Sequence, residues 1–191
     1  EQRTLVKTWT ARGTLHLHPP AQAAAVLALL ANARTWHKGV WQKNWLTLAQ
    51  MDAMAEAVPQ ALADGTPLSR NELVSRVIDA TGDPTLAEHL GSGWGQVLKP
   101  LAWQGLLVHG PSDGQRITFV RPDLWFADWP GLPAPDEAAR TVVPAWLGAY
   151  GPGTAAGFDL WLIRTATPKA QLRGWFAALA EAGVIVPVEV E

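Results

Sequence analysis

Two short strand-like segments joined by Gly110-Pro111-Ser112-Asp113-Gly114 narrow the possible folds of this sequence more than any other feature. Leu106-Leu107-Val108-His109 and Gln115 to Val120 flank a turn whose Asp-Gly pair is a strong hairpin signal. What precedes the hairpin is helical. Trp45 to Ala63 carries Leu46, Leu48, Met51, Met54, Ala55, Val58 and Leu62 at helical spacing, with a bend expected at Pro59. Ser69 sits three residues before Glu72, a capping-box spacing that opens a helix to about Thr81. A short helix over Leu86–Leu90 and a third over Ser92–Gly105 follow, the third kinked at Pro100 or beginning at Lys99. Helix, turn, helix, helix and hairpin is the winged-helix order.

The same order starts again after a proline- and tryptophan-rich connector. Helices are expected at Asp136–Ala149, Thr154–Leu162 and Lys169–Ala182, then a strand over Val184–Val190. At the other end, Leu5-Val6-Lys7-Thr8-Trp9 and Thr14-Leu15-His16-Leu17-His18 alternate around Ala11-Arg12-Gly13, and an Ala/Leu-rich helix over 21–33 follows. The fold class is therefore mainly α with β-hairpin wings, in tandem winged-helix (helix-turn-helix) units. Residues 1–20 are the wing strands of a preceding unit and 21–122 a complete unit. Residues 123–135 form the connector and 136–191 a second unit with its wing truncated. The chain opens on Glu1 and closes in mid-strand, which reads as the central part of something longer.

Composition removes several functions. Without cysteine there is no disulfide, thiol nucleophile or thiolate metal site. The longest apolar run, Ala23 to Ala31, is far short of the ~20 residues that cross a bilayer. No membrane partner and no signal segment are expected, and the localisation expected is cytoplasmic, associated with the nucleoid. No cofactor motif survives inspection. Gly91-Ser92-Gly93-Trp94-Gly95-Gln96 has the wrong last residue for a dinucleotide fingerprint and follows no parallel strand. His16 and His18 share one strand face, but two histidines without a third ligand do not make a metal site, so no metal is assigned. Tryptophan supplies 11 of the 16 aromatics, and most of these are expected to pack the core and its corners.

Charge is distributed unevenly. Residues 1–44 hold six basic residues against Glu1, whereas 45–130 hold five basic and ten acidic ones. A basic segment on an acidic body fits a polyanion partner, and equally a solvated face. On the expected third helix, Gln96, Lys99 and Trp103 fall at i, i+3 and i+7, opposite Trp94, Val97, Leu98 and Leu101. A lysine between a glutamine and a tryptophan suits phosphate and base edges. The wing places Gln115, Arg116 and Thr118 near or beside the hairpin tip, with Ile117 and Phe119 facing inward, and a wing arginine suits phosphate or the minor groove. His16 beside Arg12 is a further polar contact. The DNA-binding residues expected are thus Arg12, His16, Gln96, Lys99, Trp103, Gln104 and Arg116, and the partner is double-stranded DNA.

Five segments together resemble a known family. Lys7-Thr8-Trp9-Thr10-Ala11-Arg12-Gly13-Thr14-Leu15-His16-Leu17 carries an Arg-Gly-Thr-Leu-His signature. Trp94-Gly95-Gln96-Val97-Leu98-Lys99-Pro100, Gln104-Gly105-Leu106-Leu107, Phe119-Val120-Arg121-Pro122 and Tyr150-Gly151-Pro152-Gly153-Thr154 follow in family order. The chain resembles the bacterial AlkZ-like winged-helix DNA glycosylases, related to crosslink-unhooking and azinomycin-resistance enzymes. The resemblance implies tandem winged helices around a concave DNA-binding face, and hydrolysis of the N-glycosidic bond of alkylated purines. It also implies a catalytic Gln-x-Gln or Gln-x-Asp pair upstream of the Arg-Gly-Thr segment, positioning water, so no catalytic residue is assigned here. Gln50-Met51-Asp52 has the letters but lies downstream, in the long helix. A non-catalytic winged-helix transcription regulator or protein-docking module shares the element order and is the rival reading.

Overall fold

A computed structural model describes residues 3–91 and 95–189 of the chain. Ten helices among the described residues surround a small antiparallel sheet, so the protein is mainly helical. Strands β1 (Val6–Trp9) and β2 (Leu15–His18) form the first hairpin, with Ala11–Gly13 as a 3-10 turn between them. Helix α1 (Pro20–Asn32) follows directly, its proline in the first turn where no N–H is needed. Every residue of α1 from Ala23 to Leu30 is buried. Helix α2 (Gly39–Asn44) is a short connector.

Helix α3 (Leu48–Ala61) starts at a capping box between Thr47 and Gln50, two residues inside the expected Trp45 boundary. Strand β3 (Leu68–Ser69) leads into α4 (Arg70–Thr81), where the Ser69–Glu72 capping box is present as the spacing predicts. Helix α5 (Leu86–Gly91) packs on α4. Helix α6 (Leu98–Trp103) is the expected third helix, and it is much shorter than 92–105. Pro100 explains the start: it lacks an N–H and is tolerated only in a first turn. Ser92, Gly93 and Trp94 lie outside the described residues.

Strands β4 (Val108–His109) and β5 (Thr118–Val120) form the hairpin. The strand pair at 5–18 does not stand apart from it. β1 pairs with β4 through Lys7 and His109, giving one sheet in the order β2-β1-β4-β5-β3. Helix α7 (Pro122–Trp125) occupies the start of the connector. Helices α8 (Pro135–Tyr150), α9 (Ala155–Ile163) and α10 (Lys169–Glu181) match the three helices expected after it to within a residue at each end. The strand expected at Val184–Val190 is absent among its described residues. Val184, Val186 and Val188 alternate correctly but find no ladder partner, and they remain exposed.

One continuous apolar core runs from Trp9 to Leu179. α1 sits in its middle, against α8 on one flank and against α6 and the first hairpin on another. Trp9 anchors the sheet side. Its ring stacks on Phe119 and meets the His109 ring edge-on at 4.5 Å. Gly95 lies so close that a Cβ there would come within 2.8 Å of the Trp9 ring.

His109 is 5 % exposed and its Nδ1 has no hydrogen-bond partner. Burial pushes its pKa down to about 4, with Lys7 and Arg70 adding to the effect. The folded chain therefore keeps this ring neutral where the unfolded chain, titrating near 6.5, takes up a proton. Its contribution is complete above pH 6.5 and is lost as the pH falls towards 4. Urea unfolding should show stability falling by about 1.4 kcal/mol per pH unit across that window on account of His109. In His109→Leu, the difference in stability between pH 7 and pH 4.5 should shrink by roughly 2 kcal/mol.

Candidate nucleic-acid interface

The turn after β1 is built by its own backbone. Gly13 N–H donates to the Thr10 carbonyl at 2.8 Å, and Thr10 N–H to the Thr14 carbonyl at 2.9 Å. This geometry puts Arg12 at φ 57° and Gly13 at φ 73°, both left-handed. Glycine reaches that region freely, whereas arginine does so at a cost of order 1 kcal/mol. Arg12 is exposed at the apex.

Lys99 lies against this turn. A Cβ on Gly13 would sit 3.3 Å from Lys99 Cδ and 3.5 Å from Nζ, so the missing side chain makes room for the lysine stem. The Lys99 N–H donates to the Gly95 carbonyl at 3.0 Å, which ties its helix turn to the glycine under Trp9. Partial burial, followed by the positive charge of Arg164, holds the Lys99 ammonium below its ordinary pKa.

His16 is at the same end of the sheet. Its Nδ1 is 2.7 Å from Thr10 Oγ1, and His18 Nε2 is 3.2 Å from the same oxygen. Thr10 is buried, so its hydroxyl joins the two rings from beneath. Burial lowers the His18 pKa against a raising contribution from Gln22, and His16 adds to the lowering. No group of three metal-ligating side chains occurs among the described residues. The pair forms a hydrogen-bonded polar cluster.

Other expected contacts are elsewhere. Trp103 is buried, and its indole N–H donates to the Trp9 carbonyl at 3.1 Å. The i, i+3, i+7 face required helix from Gln96 onward, but helix begins at Leu98, so Gln96 lies in the preceding turn. The opposite face, Val97, Leu98 and Leu101, is buried as expected. Gln104 donates to the Pro100 carbonyl at 3.1 Å and lines a cleft with Arg34, Trp36 and Leu132, on the connector side. On the wing, Phe119 points inward as expected, but Ile117 is 46 % exposed and Thr118 is buried. Simple alternation fails because both faces of β5 are covered, Phe119 in the main core and Val120 in a second cluster with Val6, Val108 and Phe126, while Ile117 precedes the strand. The Thr118 hydroxyl donates to the Pro111 carbonyl.

Arg116 is on the wing tip, 3.9 Å from Asp113, and both side chains are largely exposed. A pair this open is worth little, so it leaves the arginine available. Because β4 is antiparallel to β1, the loop after β4 leaves the opposite end of the sheet from the Arg12 turn. Arg12, His16 and Lys99 lie at the same end of the sheet, with the Lys99 stem against Gly13, the residue after Arg12, while Arg116 marks a second point across the sheet. Gln50 is taken up structurally. Its Oε1 accepts from the Thr47 N–H and its Nε2 donates to Asp83 at 3.1 Å, while Met51 is buried and Asp52 exposed.

Arg164 is the cation that sequence reasoning missed. It ends α9, which packs on the Ala11–Gly13 turn, and it is exposed in a left-handed conformation. A single arginine after an apolar helix carries no sequence signal of its own.

A family model for AlkZ-like DNA glycosylases matches residues 1–191. The chain belongs to the AlkZ-like DNA glycosylase family. It is 47 % identical over 188 residues to the interstrand DNA cross-link repair glycosylase of Streptomyces sahachiroi, covering 97 % of this chain and 50 % of that protein. The structure superposes on that of Streptomyces sahachiroi DNA glycosylase AlkZ with a TM-score of 0.84 at 47 % identity, covering 93 % of this chain and 48 % of the other. This AlkZ-like chain therefore spans about half the length of the relative it matches. No described helix is long and apolar enough to cross a membrane.

The site separates packing from contact in a measurable way. Trp103→Phe removes the N–H that satisfies the Trp9 carbonyl. It should cost about 1–2 kcal/mol in urea unfolding and leave duplex affinity unchanged where the protein is folded. A loss of affinity without loss of stability would return Trp103 to the interface.

Proposed function

We propose that this chain is the DNA-binding region of a glycosylase-like repair protein acting on alkylated or crosslinked purines. The observation that carries this reading is the Lys99 stem lying against the turn that bears exposed Arg12, with no acidic side chain in ion-pair distance of either cation among the described residues. Lysine and arginine left without acids at one surface point suit the phosphate backbone, which supplies most of the affinity and none of the sequence readout.

The tandem winged-helix reading is supported by element order. α3, α4, α5, α6 and the β4–β5 hairpin form the unit within 21–122, and α8, α9 and α10 repeat the helical part within 136–191. Residues 1–20 contribute the strand pair and 123–135 the connector. The duplex contacts the Arg12–Lys99 end through its backbone, and the wing at Arg116 reaches a second phosphate. Such a partner places the protein at the nucleoid, in the cytoplasm. The hydrolysis itself, by analogy with the named relative, belongs to the whole protein, and no residue of this chain is assigned to it.

Fluorescence anisotropy of a labelled duplex across a salt series tests the reading. With two phosphates neutralised, log K should fall with log salt with a slope of roughly −2 or steeper, and similarly on unrelated sequences. Arg116→Ala should make the slope shallower by about 1. Absence of binding at low salt, with the chain folded, would favour the protein-docking module instead.

A further inference from the structure

We propose that Arg12, Lys99 and Arg164 form one clamp for a single phosphodiester group, a site assembled from three distant parts of the chain. The proposal rests on the DNA-binding reading above and specifies its central contact. Arg12 comes from the first hairpin, Lys99 from α6 and Arg164 from the end of α9. The Ala11–Gly13 turn touches α9 on one side and carries the Lys99 stem on Gly13 on the other. Arg164 is near enough that its charge disfavours the Lys99 ammonium.

The Lys99 and Arg164 charges oppose each other, and Arg12 stands on the turn that α9 and the Lys99 stem both touch. None of them has an ion-pair partner among the described residues. The nearby acid is turned away from them: Asp159 is 4 % exposed, and its Oδ1 accepts the Thr167 N–H at 3.1 Å. Its backbone carbonyl also accepts the Thr165 N–H, so residue 159 ties down the turn that presents Arg164. That turn is strained. Of the four non-glycine residues at positive φ among the described residues, Arg12, Arg164 and Thr165 lie here. Strain of this kind persists where surrounding contacts over-determine it, and it gathers at ligand sites.

Two guanidinium groups and an ammonium provide forked donors and a point charge, which together match a phosphate bearing two free oxygens. A free phosphate has the same chemistry, and the phosphodiester is favoured because Arg116 offers a second cation across the sheet for an extended polyanion. Since Arg164 belongs to the 136–191 part and Arg12 to the first hairpin, the clamp exists only while α9 stays docked on that hairpin.

The test uses Arg12→Asn, Lys99→Gln, Arg164→Asn and their triple combination in the 191-residue chain, with folding checked by circular dichroism. Asparagine tolerates the left-handed backbone at both arginine positions. Arg164→Asn should weaken duplex binding by about 5- to 10-fold at fixed salt, uniformly across sequences. The triple variant should make the salt slope shallower by about 1, because one phosphate is lost, where three independent contacts would change it by roughly 3. Inorganic phosphate should compete with the duplex more strongly than chloride at equal ionic strength, and this advantage should vanish in the triple variant. Wild-type affinity in Arg164→Asn, or a slope change near 3, overturns the clamp while Arg116→Ala still reports on the DNA reading. A folded wild-type chain that binds inorganic phosphate but no duplex overturns the DNA reading and removes the phosphodiester as ligand. One that binds neither overturns both.

Discussion

Helix α1 is buried around its whole circumference from Ala23 to Leu30, and the remaining elements are placed by what they cover on it. A helix without a polar face is stable only when surrounded. Its many alanines let neighbours approach closely, so α8 lies along one flank while α6 and the first hairpin occupy another. Helices before and after the 123–135 segment therefore share one core rather than meeting at a wet boundary. Burial of this kind contributes roughly 25 cal/mol per Å² of apolar surface, and neither part can withdraw without exposing the helix to water. The approach of α9 and of the Lys99 stem to the Ala11–Gly13 turn is a consequence of that arrangement.

Trp9 does for the sheet what α1 does for the helices. Its ring fills the space beneath Gly95 and against His109 and Phe119, while its carbonyl takes the Trp103 N–H. The next residue, Thr10, holds two histidines through its hydroxyl and begins the turn that lifts Arg12. A buried aromatic anchor directly behind an exposed cationic turn gives that turn a rigid base. A turn held in this way loses little backbone freedom when anything contacts it.

Legibility in the sequence varied with the range of the interactions involved. The capping box at Ser69–Glu72 and the helices at 136–182 were readable because caps and helical periods act within four residues. The stretch from Gln96 to Trp103 looked equally periodic, yet its face depended on where helix actually begins. Pro100 and the contact between Gly95 and Trp9 decided that start. Ile117 and Thr118 departed from the expected pattern because β5 starts only at Thr118 and is covered on both faces, by the main core at Phe119 and by a second cluster at Val120. The valines at 184–188 had the right alternation, but a strand exists only with a partner.

Reading the residues alone is enough to find a mainly helical chain with hairpins, the starts of its capped helices, and the family it resembles through the Arg-Gly-Thr-Leu-His segment. These properties follow from short-range chemistry: caps, turn residues, hydrophobic period and motif spelling. Long-range packing brings β1 to β4 in one sheet, puts Trp103 in the core, and docks α9, with Arg164 at its end, on the Ala11–Gly13 turn. Each of these joins residues dozens of positions apart. Their proximity is set by how a fully apolar α1 is covered, a condition on the whole chain that no local pattern records.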